Sequence, residues 1–231
     1  MKLAEIFSQL TYGELSQVSL GGGEAGVIDA TNYKHVITHI NLGLTALHKR
    51  FNLREEVLIV PLILGQVIYP FKSITEFKNN LVKVQSVKTE LGFEMALNDQ
   101  SDKYSVFTPI FNVLTIPLSL VSTHLPDFPR ELITDTLTVS YQSNALPIVY
   151  DDGLDDDPED LEVNLPDTYL EPLLYFVASR VLTNTGTGQF EGAIGSNYAA
   201  RYEKACKDIE EFGLDIDQGS QSTRLRSNGW V

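Results

Sequence analysis

Residues 81–97 read LVKVQSVKTELGFEMAL, and their alternation of apolar and polar side chains is typical of a β-strand. Val82 and Val84 are β-branched, and Lys83 and Gln85 supply the polar partners between and beyond them. Three further runs predict strands in the same part of the chain: VLIVPLILGQVIY (57–69), YSVFTPIFNVLTIPLSLV (104–121) and TLTVSYQSNALPIVY (136–150). The middle of the chain is therefore predicted to be a β-domain.

Turn-forming residues interrupt these predicted strands. Pro61, Pro109 and Pro117 lie inside apolar runs, where proline implies an edge strand, a bulge or a break. The polar stretch 98–102 (NDQSD) predicts a hairpin turn, and 72–80 predicts a short helical turn.

Helical periodicity is found on both sides of the predicted β-domain. Apolar residues at spacings of three and four predict helices over 2–12, about 30–51, about 168–184 and about 190–212. Asp29 or Thr31 is expected to cap the second helix, and Gly213 the C-terminus of the fourth. Pro172 fits only in the first turn of the third helix.

These patterns predict an α+β fold, in which a helical bundle carries an inserted antiparallel β-domain. The predicted parts are listed in chain order: N-terminal helices (1–54), inserted β-domain (55–150), acidic linker (151–165), C-terminal helix pair (166–213) and an extended C-terminal arm (214–231).

Composition excludes several classes of protein. The chain has 231 residues, a hydrophobic fraction of 43% and a formal net charge of −14, which fit one or two acidic globular domains. Such a charge argues against a general nucleic-acid binder, which needs clustered Lys and Arg. The single Cys206 excludes an intrachain disulfide and a cysteine zinc finger. No transmembrane helix or signal peptide is expected, so a soluble protein made in the cytosol is predicted.

The negative charge is concentrated in one segment. Residues 131–179 contain twelve acids and no Lys or Arg, so they supply −12 of the −14. Eight of these acids are close together: Asp151, Asp152, Asp155, Asp156, Asp157, Glu159, Asp160 and Glu162. Like charges at this density resist burial, which predicts a solvated loop. Alternatives are a loop that faces a basic partner or anionic polymer, and a calcium loop, although Gly153 and Asp156 break the EF-hand pattern.

The C-terminal residues 214–231 are too polar to form a core alone. They end in a basic and aromatic tip, which predicts an arm that docks on another molecule through Arg224, Leu225, Arg226, Asn228 and Trp230. A frayed terminus is the alternative.

The search for catalytic chemistry finds little. His35 and His39 have zinc-ligand spacing, but Val36 occupies the position of the Glu in a metalloprotease motif, and His48 lies about 180° around the helix. Ordinary helix histidines are the preferred interpretation. Cys206 is predicted to be a small buried residue, and the glycines at 186–195 an interhelical turn. No catalytic residue, cofactor or metal site is predicted.

The order of elements and the C-terminal third resemble the head-to-tail adaptor (connector) proteins of tailed bacteriophages, especially those called tail tubular protein A. The stretch Leu165-Pro166-Asp167-x-Tyr169, followed by LLYFVASR (173–180), resembles the entry to the penultimate adaptor helix. Residues 198–202 (YAARY) resemble its partner helix, 136–150 the last strand of the inserted sheet, and 224–230 the arm with which adaptors grip portals.

The resemblance implies a non-enzymatic virion protein of the neck or tail, assembled in the host cytoplasm. Adaptors form a closed ring, usually a dodecamer, that binds the portal protein on one face and a tail tube or nozzle protein on the other. Double-stranded DNA passes through the ring without being held, and no membrane is involved. The open alternatives are another phage neck or tail-fibre adaptor or assembly protein, and a small-molecule-binding or enzymatic α+β protein.

Overall fold

The elements of the chain belong to two compact units, which the computed structural model describes over most of their length. The described residues are 1–18, 20, 25–28, 32–118, 135–150, 160–185 and 189–213. Residues 184, 185 and 189–194 are described only as parts of helices. Residues 1–53 and 145–231 form one unit, here called the helical unit, and residues 54–144 form the other, the β unit.

Helices and antiparallel strands together confirm the predicted α+β class. The helices of the described residues are α1 (Leu3–Tyr12), α2 (Tyr33–Arg50), α3 (Leu170–Thr185) and α4 (Gln189–Glu211). The strands are β1 (Glu55–Pro61), β2 (Ile68–Pro70), β3 (Leu81–Thr89), β4 (Val113–Thr115) and β5 (Thr136–Ser143). None of these helices has the length and apolar character needed to cross a lipid bilayer.

Helices α1 and α2 bury the apolar stripes that their spacing predicts. In α1 the buried residues are Leu3, Ile6, Phe7 and Leu10, and in α2 they include Val36, Ile37, Ile40, Leu44 and Leu47. The N-cap of α2 is Asn32, and the predicted capping residues Asp29 and Thr31 lie outside the described residues. The Asn32 amide donates to Val27 O at 3.2 Å, which fixes the chain just before the helix.

Helices α3 and α4 pack against each other and bury a shared core. A short 3₁₀ turn, Asp167–Tyr169, leads into α3, and Pro172 lies in the first helical turn as predicted. Gly213 follows α4 in the left-handed region at φ 62°, which confirms it as the C-terminal cap. Phe212 is 75% exposed, so the predicted stripe of α4 ends one turn earlier, at Ile209.

Two glycines mark where helices approach closely. A Cβ atom on Gly43 of α2 would lie 2.6 Å from Cδ1 of the buried Leu173 in α3. A Cβ atom on Gly195 of α4 would lie 2.6 Å from the Thr183 hydroxyl and 3.3 Å from Ser179 O. Because these distances are too short for a side chain, glycine is what allows α3 to approach both neighbours.

The β unit is built on a three-stranded antiparallel sheet with the order β1-β5-β3. Strand β1 pairs with β5 from Glu55 opposite Gln142 to Pro61 opposite Thr136. Pro61 thus lies at the end of an edge strand, which agrees with its lack of an N–H group. Strands β2 and β4 form a separate antiparallel pair, and one core cluster includes Tyr69, Leu114 and Tyr141.

The observed strands are shorter than the predicted runs because turns interrupt them. The run 57–69 breaks at Gly65 (φ 78°), and the run 81–97 breaks at Gly92 (φ 79°), after which Met95 N donates to Val87 O. Of the run 104–121, only β4 is a strand among the described residues, and β5 ends at Ser143 rather than near 150.

The two predicted short turns are found in modified form. Residues 98–105 do form a turn, but the Leu97–Val106 bridge beside it is parallel, so a simple hairpin is wrong. In the segment 72–80 the helical part is a single 3₁₀ turn, Phe71–Ser73.

We expect Leu174→Ala to lower the free energy of unfolding by about 2–4 kcal/mol, because it leaves a cavity in the core of the helical unit. Leu174 is 9% exposed, whereas Leu42 of α2 is 50% exposed. The matched change Leu42→Ala should cost under about 1 kcal/mol. Urea unfolding monitored by circular dichroism measures both values, and equal losses would contradict the assigned helical phase.

Candidate functional site

The predicted docking arm lies outside the described residues, together with Arg224, Leu225, Arg226, Asn228 and Trp230. Its starting point is defined, because α4 ends at Glu211 and the described residues end at Gly213. Beside this point, an open cleft of 370 Å³ lies between α3 and α4. The cleft is lined by residues that include Pro172, Tyr175, Arg201, Lys204, Asp208 and Phe212.

Polar contacts organise the walls of this cleft. The Tyr175 hydroxyl donates to Glu171 Oε1 at 2.8 Å, and this hydrogen bond, with burial, raises the pKa of Tyr175 to about 12. The Arg201 guanidinium lies 5.2 Å from the centre of the Tyr198 ring, within the range of a cation–π interaction. The cleft therefore offers both charges and apolar surface.

The acidic segment, meaning here residues 151–162, is described only at its C-terminal end. Asp151, Asp152, Asp155, Asp156, Asp157 and Glu159 lie outside the described residues, and Asp160 and Glu162 lie inside them. Lys2 Nζ donates to Asp160 Oδ1 at 3.0 Å, which raises the pKa of Lys2.

Backbone bonds strengthen the attachment of this end. Leu3 N donates to Leu161 O at 2.9 Å, and Val163 N donates to Met1 O at 2.9 Å. Val163 and Leu165 are both buried in the helical core. The acidic segment thus ends at a fixed position beside the start of α1, and residues 160–165 are not a free linker.

An ion-pair cluster joins α2 to α4. Arg50 donates to Glu203 Oε2 at 2.8 Å and to Glu210 Oε1 at 2.7 Å, and its bond to Glu210 lowers the pKa of that carboxyl. Cys206 lies between these two acids along α4 and is fully buried, as predicted. Burial raises the pKa of its thiol, although Arg50 acts in the opposite direction. Cys206 is therefore a protonated packing residue rather than a nucleophile.

Two histidines of α2 are in direct contact. The Nε2 atoms of His35 and His39 lie 3.0 Å apart. His39 is 8% exposed, and its Nδ1 atom is buried without a hydrogen-bond partner, whereas His35 is exposed. Burial lowers the pKa of His39 below its usual value, and His35 and Arg180 lower it further. His39 is consequently neutral at pH 7.

Within the described part of the chain, no group of three or more His, Cys, Asp or Glu side chains is arranged to hold a metal ion. The glycines predicted to form an interhelical turn do not all have the same outcome. Residues 186–188 are not described, whereas Gly195 lies within α4, where it faces α3.

The β unit exposes large apolar side chains at one end of its main sheet. Strands β1 and β3 are both antiparallel to β5, so their C-terminal ends lie together, about 10 Å apart across β5. Beyond these ends are four exposed residues, here called the apolar end: Ile63 (55%), Leu64 (69%), Leu91 (73%) and Phe93 (47%). These four side chains are candidates for contacts with another protein, since contiguous exposed apolar patches mark such surfaces.

The position of the apolar end is held by hydrogen bonds. The Tyr69 hydroxyl accepts from Ile63 N at 2.9 Å and donates to Ile63 O at 3.2 Å, and Leu62 N donates to Asp135 O at 2.8 Å. The outer face of β1 continues the apolar surface with Val57 and Ile59, which are 59% and 61% exposed.

Sequence reasoning missed the apolar end because the run 57–69 is predicted only as a strand, with no prediction of which of its side chains are exposed. Two signals could have found it: Pro61, which favours an edge strand, and Gly65, which favours a turn just after Ile63 and Leu64.

Comparison of the chain with models of protein families and with curated protein sequences finds no match.

The buried His39 predicts a loss of stability in mild acid. The unfolded chain binds a proton at this histidine near pH ~6.5, whereas the folded chain binds it only below its lowered pKa. Because the unfolded state then holds more protons, the free energy of unfolding falls as pH drops through about 6.5 and levels off below the folded pKa.

The variant His39→Asn should lose this component of the pH dependence. Urea unfolding at closely spaced pH values between about 7.5 and 5 measures it. Thr38→Ala, a neighbouring change without an ionisable group, is the control and should keep the wild-type slope. If the free energy of unfolding depended on pH in the same way for His39→Asn and the wild type, His39 would not be a group whose protonation destabilises the fold.

Proposed function

We propose that the chain is a structural, non-enzymatic head-to-tail adaptor of a tailed bacteriophage. Copies assemble into a ring between the portal protein and a tail tube or nozzle protein, in the virion neck, and the ring extends the channel for DNA. The observation that carries this proposal is the apolar end of the β unit, because it presents four large apolar side chains to solvent. A protein that acts in an assembly needs such a surface.

The distribution of features along the chain supports a closed assembly. A cyclic ring requires two unlike patches on each copy, since each interface joins one patch to the other. Residues 131–179 carry −12 of the net −14 and the rest of the chain is close to neutral, so these two regions supply patches of unlike charge. We also propose, as part of the same hypothesis, that the helices form a bundle and that the β unit is inserted in the chain between α2 and α3.

The charge of the chain suits a channel for DNA. Basic walls would bind phosphates and hold the duplex, whereas a net charge of −14 per copy repels them. The arm, in contrast, is basic and aromatic at Arg224, Arg226 and Trp230. Arginine and tryptophan are among the residue types that dominate binding energy at protein interfaces. We therefore assign portal binding to the arm rather than to the acidic segment.

The proposal is tested with the portal protein of the same virus. Mass photometry of the mixture should show a complex with one adaptor per portal subunit. Deletion of 214–231 should abolish this complex and leave the helical circular dichroism and the melting temperature of the chain unchanged, because the described core ends at Gly213.

A triple substitution separates loss of the arm's side chains from loss of its length. Arg224→Ala, Arg226→Ala and Trp230→Ala together should weaken portal binding, whereas Ser220→Ala and Ser222→Ala should not. A full-length chain that binds neither portal nor tail proteins would refute the adaptor function.

The apolar end should be required for assembly but not for folding. We expect Leu64→Asp with Leu91→Asp to block ring formation, because two charges would have to be buried in the interface. Both residues are about 70% exposed, so stability should change by less than about 1 kcal/mol. Leu42→Asp, on the exposed face of α2, is the matched control. Normal rings from the double variant would exclude the apolar end as an interface.

A further inference from the structure

We propose that His35 and His39 form a binding site for a divalent transition-metal ion that prefers imidazole ligands, such as Ni²⁺ or Cu²⁺. The inference is independent of the adaptor function. It depends on the juxtaposition of two Nε2 atoms, 3.0 Å apart, on adjacent turns of α2.

The separation of the two nitrogens matches what one ion requires. Histidine nitrogens bind such ions at about 2.0–2.1 Å, so two nitrogens on one ion lie about 2.9 Å apart at a right angle and about 3.3 Å apart in a tetrahedron. The observed 3.0 Å lies between these two values, so a small adjustment of the rings brings both nitrogens to one ion. Imidazole suits Ni²⁺ and Cu²⁺, and Cu²⁺ has the highest affinity for such ligands among the divalent first-row ions.

The burial of the two rings suits a chelate. His39 is 8% exposed and held by the core, so one ligand is already fixed, while the exposed His35 leaves a path from solvent. Both rings must present an unprotonated Nε2 to the ion. The proton that joins the two Nε2 atoms in the metal-free protein therefore moves to Nδ1 of the same ring, which stays neutral.

Two features limit the affinity. The buried Nδ1 of His39 has no hydrogen-bond partner, so it lacks the acceptor that usually orients a metal-bound histidine. The positive charge of Arg180 also acts on His39. We therefore expect micromolar rather than structural binding, with water in the remaining coordination positions.

The experiment is isothermal titration of the full-length chain with Ni²⁺ at pH 7.5, in millimolar Mg²⁺. Magnesium occupies the carboxylates of the acidic segment, which prefer a hard cation, and leaves the imidazoles free. The expected result is one saturable site per chain that raises the melting temperature of the protein. The absence of saturable binding at millimolar Ni²⁺ would overturn the proposal.

The matched control exchanges two neighbouring exposed residues of α2. Lys34→His combined with His35→Lys keeps the composition and charge, but the two histidines are then five residues apart, about 140° around the helix. We expect the dissociation constant to rise by more than the ~10-fold that loss of an outer-shell partner can cause. Unchanged binding by this variant would refute the site.

A pH series provides the second readout. Binding through imidazole should weaken below pH ~6.5, as the histidines take up protons. Binding through carboxylates would persist to about pH 5, because those groups protonate only near pH ~4. Affinity that is constant between pH 7.5 and 5 would assign the ion to the acidic segment and overturn the proposal.

Discussion

The close contact between α2 and α3 is the constraint on which the helical unit depends. The two helices belong to parts of the chain separated by the whole β unit, so no local interaction brings them together. Gly43 allows this approach, because a Cβ atom there would force the buried Leu173 side chain to shift. Once α3 is in place it also packs against α1 and α4, and Arg50 then reaches Glu203 and Glu210.

The helices were predictable from the sequence, whereas the strand boundaries were not. A helical stripe such as Val36, Ile40 and Leu44 repeats over several turns, so its period is unambiguous. Apolar runs in the β unit cross turns at Gly65 and Gly92 without a change in composition. The ends of those strands depend on pairing with β5, which is a long-range property that no local pattern contains.

The candidate site was predictable only in part, for a similar reason. The density of acidic residues predicts the acidic segment, and the polar composition with a basic and aromatic tip predicts the arm. The apolar end was not predictable, because the exposure of Leu64 and Leu91 depends on which strands lie side by side. The contact between His35 and His39 lies between these cases: spacing places both rings on one face, but the burial of His39 and the distance between the Nε2 atoms follow only from the tertiary structure.

The attachment of the acidic segment has a consequence for its role. Asp160 pairs with Lys2, and the adjoining backbone bonds fix the chain beside α1. The Asp160–Lys2 pair is exposed, so it adds little to stability. The pair instead fixes a position, because the run of acidic residues ends at a defined point of the helical unit.

The net charge and the apolar end are physically related. Exposed apolar side chains such as Leu64 and Leu91 favour self-association, and a charge far from zero opposes it through repulsion between copies. At physiological ionic strength this repulsion reaches only about 8 Å. It therefore slows encounters between free chains but does not prevent an interface that a partner has already aligned. A chain with a net charge of −14 and an exposed apolar end is thus suited to remain separate until an assembly template holds it, a property that the proposed adaptor function would require.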